Sequence, residues 1–398
     1  MNILFLFISL PHIGESGVFT DLIKEFASNG HNVKVATPLK AGQGAERVDM
    51  ESGIEVLRFK TDQLVGNKSM VKKGLAYLKL LYQYPHAIKK YFGKDKIDII
   101  IGHSLPPELG LIIPKLKRHF SAKFYLMLCE FIWQDAVALG MFSKKHPICK
   151  YYNWLENRLI KHADYIGCPS QGNIDFAIKY HPWAESTKEM HILQYCQYPV
   201  VLSNTKNVDF RTKYNWEGKF VAIYGGSVNI AQSIENVINL AESCVNYEDI
   251  VFVIIGQGSQ FDVIKQDVHK RQIHNITFMD YMPKNEYNEL LRQCDVGIVS
   301  LNPKLQMPNI PSKTLGLFNL SKPILAAIDY STDYGEFLEN AGAGLWSYSG
   351  DTDGFKKNLL KLYNDRNLLE QMGRKGHEYY LNNLTPDKAY KTIMDHIK

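Results

Sequence analysis

Lys219-Phe220-Val221-Ala222-Ile223-Tyr224-Gly225-Gly226-Ser227 is the stretch whose reading decides the fold. Its apolar run has strand length and breaks at a glycine pair, and apolar residues then recur at helical spacing through Ile234, Val237, Ile238 and Leu240. Strand, glycine turn and helix open a βαβ crossover, which makes its strands parallel and puts ligands at their carboxyl ends. The chain begins in the same way. Residues 3–9 are an apolar run, Gly14-Glu15-Ser16-Gly17 is a loop, Val18, Leu22 and Phe26 keep helical spacing, Gly30 stops the helix and residues 32–36 return as a strand. A series that starts twice within 398 residues predicts two domains.

Further short apolar runs with turn residues on their flanks continue both series. In the first half they lie at 54–59, 97–101, 124–128 and 165–168, separated by helical stretches. In the second they lie at 250–255 before Gly256-Gln257-Gly258, then at 276–279, 296–299 and, after Pro323, 324–327. The fold class is α/β, with two doubly wound Rossmann-like domains at 1–198 and 199–380 and a linker near 198–205. Two such sheets facing each other across a cleft would bind ligands there. Residues 381–398 carry Ala389, Tyr390, Ile393 and Ile397 on one helical face, a helix that packs back on the first domain.

Composition removes several classes. With 45% hydrophobic residues, 23 Tyr and 19 Phe, the chain is neither disordered nor collagen-like. The apolar run at 3–10 is far short of the ~20 residues of a membrane span. It also lacks the basic lead-in and small-residue cleavage site of a secretory signal, so a cytoplasmic protein is expected. The six cysteines stand 19 or more residues apart, which excludes CxxC knuckles and dithiol motifs. No cluster has metal-ligand spacing. Asp351-Thr352-Asp353 resembles a metal-holding DxD only in letters, because it precedes the helical pattern Phe355, Leu359, Leu362 and reads as an N-cap.

Charge is uneven. Residues 1–200 hold 25 Lys/Arg against 18 Asp/Glu, and residues 60–123 alone hold 13 against 4. This stretch faces something anionic. Its lysines alternate with apolar and aromatic residues at helical spacing from Met70 to Lys96, which suits a helix on an anionic membrane surface and equally the solvated face of a core helix. A nucleic-acid partner fits the charge but finds no binding motif.

Candidate chemistry follows the strand ends. The Gly14-Glu15-Ser16-Gly17 loop offers backbone N–H groups at a helix start to a phosphate or a substrate hydroxyl; a plain βα turn is the other reading. Gly225-Gly226-Ser227 and Gly256-Gln257-Gly258 together would let a diphosphate approach the backbone. Asn309-Ile310-Pro311-Ser312-Lys313-Thr314 reads as helix entry at Pro311 and Ser312. There Lys313 opposes the helix dipole, so an anion beside it is expected. Glu130 and Asp135 follow the strand at 124–128, as a catalytic carboxylate and as a second acid or helix cap. His103 and His12 follow two other strands, where a structural role is the alternative for each.

Taken in order, these segments resemble glycosyltransferase family 4, the retaining GT-B enzymes, especially bacterial members that build capsule, O-antigen or other surface polysaccharides. The resemblance spans nearly the whole chain. It rests on the early glycine loop with Gly30-His31-Asn32-Val33, on Glu130 to Met141, on Ala163-Asp164-Tyr165-Ile166, on Tyr224-Gly225-Gly226, on Gly256-Gln257-Gly258, on Cys294-Asp295-Val296-Gly297, and on Pro311-Ser312-Lys313 followed by Lys322-Pro323-Ile324-Leu325. No single motif is decisive, and their order is what counts.

The resemblance implies a hexosyl or N-acetylhexosaminyl transferase without a resident cofactor or metal. Its second domain would hold a nucleotide sugar, a UDP-sugar by family habit, through Gly225, Gly226, Ser227, Gly256, Gly258, Pro311, Ser312, Lys313 and Thr314. Its first domain would hold a saccharide or polyprenyl-linked glycan through His12, Gly14, Glu15, Ser16, Gly17 and Asp135, with Glu130, His103 and Lys313 as catalytic groups. The enzyme would work at the inner membrane face. Two departures stand out. Cys129-Glu130 replaces the family's usual arginine and aspartate, and the two glutamates that family members carry eight positions apart align with Pro308 and Gly316. A nucleotide-sugar epimerase of the same fold and a non-catalytic partner subunit remain the alternatives.

Overall fold

The structure is a computed structural model that describes residues 1–39, 44–62, 70–200 and 208–397. The linker expected near 198–205 lies largely outside the described residues. The chain forms two compact units, one of Met1–Tyr198 with Pro386–Lys398, the other of Pro199–Thr385.

Among the described residues the first unit is built on eight strands: β1 (Asn2–Leu6), β2 (Asn32–Pro38), β3 (Arg47–Glu51), β4 (Ile54–Phe59), β5 (Ile99–His103), β6 (Lys123–Met127), β7 (Tyr165–Cys168) and β8 (Met190–Ile192). Their order is β3-β4-β2-β1-β5-β6-β7-β8, and only β3 runs antiparallel to its neighbour. Helices cover both faces, so β1 and β5 are buried on both sides and read as unbroken apolar runs. The strand order reverses between β1 and β5, which leaves a crevice at their carboxyl ends. The last helix, Pro386–His396, belongs to this unit, starting later than residue 381. It buries Ala389 and Ile393 against the helix Val18–Ser28, sets Tyr390 edge-on to Phe26, and stacks the His396 ring on His191 at 3.6 Å.

Among the described residues the second unit has six parallel strands: β9 (Phe220–Ser227), β10 (Ile250–Gln257), β11 (Ile276–Met279), β12 (Val296–Ser300), β13 (Ile324–Ile328) and β14 (Gly344–Tyr348). The order β11-β10-β9-β12-β13-β14 reverses between β9 and β12. One expectation changes here. Gly225-Gly226-Ser227 is not a turn that opens a helix: it extends β9, with Gly226 opposite Gly256 and Ser227 opposite Gln257, and the next α-helix starts only at Glu235. Gly226 and Gly256 take φ of +141° and +148°, and a Cβ on Gly256 would strike the Gly226 carbonyl oxygen. Only glycine allows the two strand ends to run this close.

Candidate functional site

In the second unit the reversal point collects most of the residues expected to bind the donor. Gly225 and Gly226 lie just before the end of β9 at Ser227, Gly256 just before the end of β10 at Gln257 with Gly258 just beyond, and the helix Lys313–Asn319 leads from β12 toward β13. Gly225 lies against the Tyr287 hydroxyl, where a Cβ would collide. Lys313, the first residue of its helix, reaches back to β9: its Nζ lies 3.9 Å from the centre of the Tyr224 ring and 3.4 Å from where a Gly226 Cβ would stand. That nitrogen is buried and has no hydrogen-bond partner among the described residues. Removal from water lowers its pKa to about 7. An amine with no neighbour but a ring face among the described residues, beside glycine backbone, can hold an anion that restores its charge.

The loops are held by contacts that sequence reading missed. Asp329, after β13, accepts the N–H groups of Ser331 and Thr332 at 2.8 and 3.0 Å. Thr332 in turn bonds both backbone groups of Asn309, fixing the segment that leads into Lys313. Burial drives the Asp329 carboxyl up to about 6. Asn236 donates to the hydroxyls of Ser300 and Ser349, tying the ends of β12 and β14 together. Among the expected donor residues, Pro311 is buried and accepts from Thr314 N, and Ser312 is exposed and makes no side-chain cap. Thr314 departs from expectation: its hydroxyl is committed inside the fold to the Tyr334 hydroxyl, at 2.6 Å.

In the first unit His12 and Glu130 follow β1 and β6, and His103 is the last residue of β5, which lies between those two strands. His103 is buried, and its Nδ1 accepts from Leu105 N at 3.1 Å, which leaves the proton on Nε2. Burial lowers its pKa to about 4, so the ring is neutral at physiological pH. Glu130 N donates to Ser104 Oγ at 3.0 Å, so the residue after His103 positions the residue after β6. Glu130 is exposed, yet the protein crowded about its carboxyl raises its pKa. His12 is exposed, with Nδ1 accepting from Gly14 N at 3.0 Å.

A buried pair pins that loop. Arg58 on β4 grips Glu51 through Nε at 2.6 Å and Nη2 at 3.0 Å, and also donates to the carbonyls of Leu10 and Pro11. Glu51 accepts from Ile13 N. Burial raises its pKa, but the Arg58 and Ile13 hydrogen bonds outweigh that and hold it below the usual carboxylate range. Glu15 and Gly14 are exposed, and Gly17 precedes the helix Val18–Ser28 in an extended conformation. Ser16 bonds Asp21 and accepts from Gln197, which ties the loop to its own helix. Asp135 is not the cap of its helix: Phe131 holds that position, and Asp135 lies within Ile132–Ala138. Asp351 does cap the helix Thr352–Asn364, accepting from Gly354 N at 2.9 Å.

Two doubly wound units of this topology define the GT-B fold. Residues 206–379 match the family model of Glycosyl transferases group 1, which falls on the second unit. The probable glycosyltransferase WbjE of Pseudomonas aeruginosa is 23% identical over 316 residues, 78% of this chain and 76% of that protein. Sucrose-phosphate synthase from Thermosynechococcus elongatus superposes with a TM-score of 0.77 at 13% identity, covering 99% of this chain and 98% of that one. Anabaena HepE in complex with UDP-glucose gives 0.71 at 14%, covering 99% and 98%. The chain is a glycosyltransferase.

Proposed function

We propose that the chain transfers a sugar from a UDP-sugar at the carboxyl ends of β9 and β12 to a saccharide bound by the loops of the first unit, with retention, as a family 4 enzyme. The observation that carries this reading is the buried amine of Lys313, without a hydrogen-bond partner among the described residues, beside the glycine strand ends. A diphosphate would restore its charge, and Lys313 with the backbone N–H groups would stabilise the charge that develops as the bond from sugar to diphosphate breaks. In a front-face transfer the leaving diphosphate takes the acceptor's hydroxyl proton as the new glycosidic bond forms on the same face. Glu130 would offset positive charge on the sugar, and neutral His103 would donate a hydrogen bond to the acceptor. The complex of HepE with UDP-glucose supports uridine as the nucleotide. The order of the family motifs supports a role in surface polysaccharide synthesis, on a polyprenyl-linked acceptor at the inner membrane face.

Isothermal titration with UDP and GDP, without added metal, tests the donor site. Micromolar UDP binding is expected, weakened about tenfold or more in Lys313→Ala, as the loss of one charge-assisted contact of about 1.4 kcal/mol requires. A folded protein that binds no nucleotide would sink the donor assignment and favour the non-catalytic partner subunit.

A further inference from the structure

Lys313 differs from an ordinary ion-pairing lysine in what surrounds its amine. Among the described residues the nitrogen has no hydrogen-bond partner, and it stands over the Tyr224 ring at 3.9 Å. It is also close to the surface. Lys313 as a residue is only half-buried, Ser312 before it is exposed, and so is Gly226, whose missing Cβ would stand 3.4 Å from the nitrogen. A lysine amine is a nucleophile only when it has lost its proton. At pH 7.5 an ordinary lysine, with a pKa of about 10.4, is neutral in roughly one copy in a thousand. Burial lowers Lys313 to about 7, so most copies carry a free lone pair.

We infer that Lys313 is a modification site, whose amine takes the acyl group of a small acyl phosphate and thereby closes the enzyme to its nucleotide. The nitrogen lone pair attacks the carbonyl carbon and a C–N bond forms. The C–O bond to phosphate breaks, its electron pair leaves with the phosphate, and that phosphate takes the proton the nitrogen gives up. A small donor is required because the nitrogen lies beneath the surface, out of reach of a bulky acyl carrier. The amide that results cannot be protonated when an anion arrives, so the charge that would hold a diphosphate is lost. The reactivity of the amine is independent of the proposed donor site, and only its consequence for nucleotide binding rests on that reading.

The test incubates the full chain with acetyl phosphate and follows acetylation of each lysine by mass spectrometry across neutral and mildly alkaline pH. At pH 7.5 Lys313 should react about fivefold faster or more than the exposed Lys265 and Lys304, because its far larger neutral fraction outweighs its lower basicity and its burial. Its rate should level off above about pH 8, whereas an ordinary lysine gains about tenfold per pH unit. Saturating UDP should slow Lys313 about fivefold or more and leave Lys265 and Lys304 unchanged. The fraction of UDP-binding capacity lost should equal the fraction of Lys313 acetylated. A Lys313 that reacts no faster than the exposed lysines at pH 7.5, or whose rate keeps climbing about tenfold per unit to pH 9, would overturn the inference. Rapid acetylation with UDP binding intact would remove Lys313 from the donor site, and with it the consequence for binding, while the modification site stands. If the unmodified protein binds no UDP, the functional reading falls, and the acetylation rates still decide the modification site.

Discussion

Lys313 concentrates the electrostatics of the proposed donor site in one side chain. Burial brings its pKa from 10.5 down to about 7, so between those values the ligand-free protein binds fewer protons here than an ordinary lysine would. A diphosphate beside the nitrogen favours the ammonium and raises the pKa again. Nucleotide binding at pH 8 is therefore expected to take up about one proton, and the uptake should shrink as pH falls below 7, where the ammonium already exists. Titration calorimetry in buffers of different ionisation enthalpy reads the proton directly. Lys313→Met should abolish the uptake along with most of the affinity, and uptake that persists in the variant would place the titrating group elsewhere.

The hairpin of β3 and β4 decides where the loop after β1 sits. Its Arg58–Glu51 pair is buried and gathers the carbonyls of Leu10 and Pro11 and the N–H of Ile13. Removing one member leaves the other charge buried without its partner, a loss of about 3–5 kcal/mol. Arg58→Met is thus expected to lower stability in urea unfolding by about that much, while the double variant Arg58→Met, Glu51→Leu recovers most of it. A double variant as unstable as the single one would show that shape, not charge, is at stake. None of this was legible in the sequence, because the pair exists only once the hairpin brings Glu51 and Arg58 together. Arg47–Glu51 is also too polar to read as a strand, β8 is only three residues long, and β14 starts at a glycine. The double-sided strands were legible because helices on both faces force continuous apolar runs. Lys313 was legible because a lysine opening a helix is electrostatically out of place. The glycines at 225, 226, 256 and 258 were legible as special, but their role in a strand ladder needed the pairing of β9 with β10.

At the scale of the molecule, the first unit draws its last helix from beyond the whole second unit. Residues 386–396 bury Ile393 and Ala389 and set Tyr390 against Phe26, with its hydroxyl 2.9 Å from His31 Nε2. At about 1.5–3 kcal/mol for each large buried apolar side chain, this helix contributes roughly 3–6 kcal/mol to the first unit. The residues proposed to hold the donor, from Gly225 to Lys313, all lie in the second unit, which keeps its own core of Phe220, Val237, Phe252, Ile298 and Leu359. A chain ending at Thr385 should therefore lose stability in one unit only. In scanning calorimetry the melting of the first unit should fall by roughly 6–24 °C, at about 2–4 °C per kcal/mol for a unit of this size. The transition of the second unit, marked by its upward shift when UDP is added, should stay in place. Equal loss in both transitions would mean that the helix stabilises the molecule as a whole, and an unmoved first transition would mean that its packing contributes little.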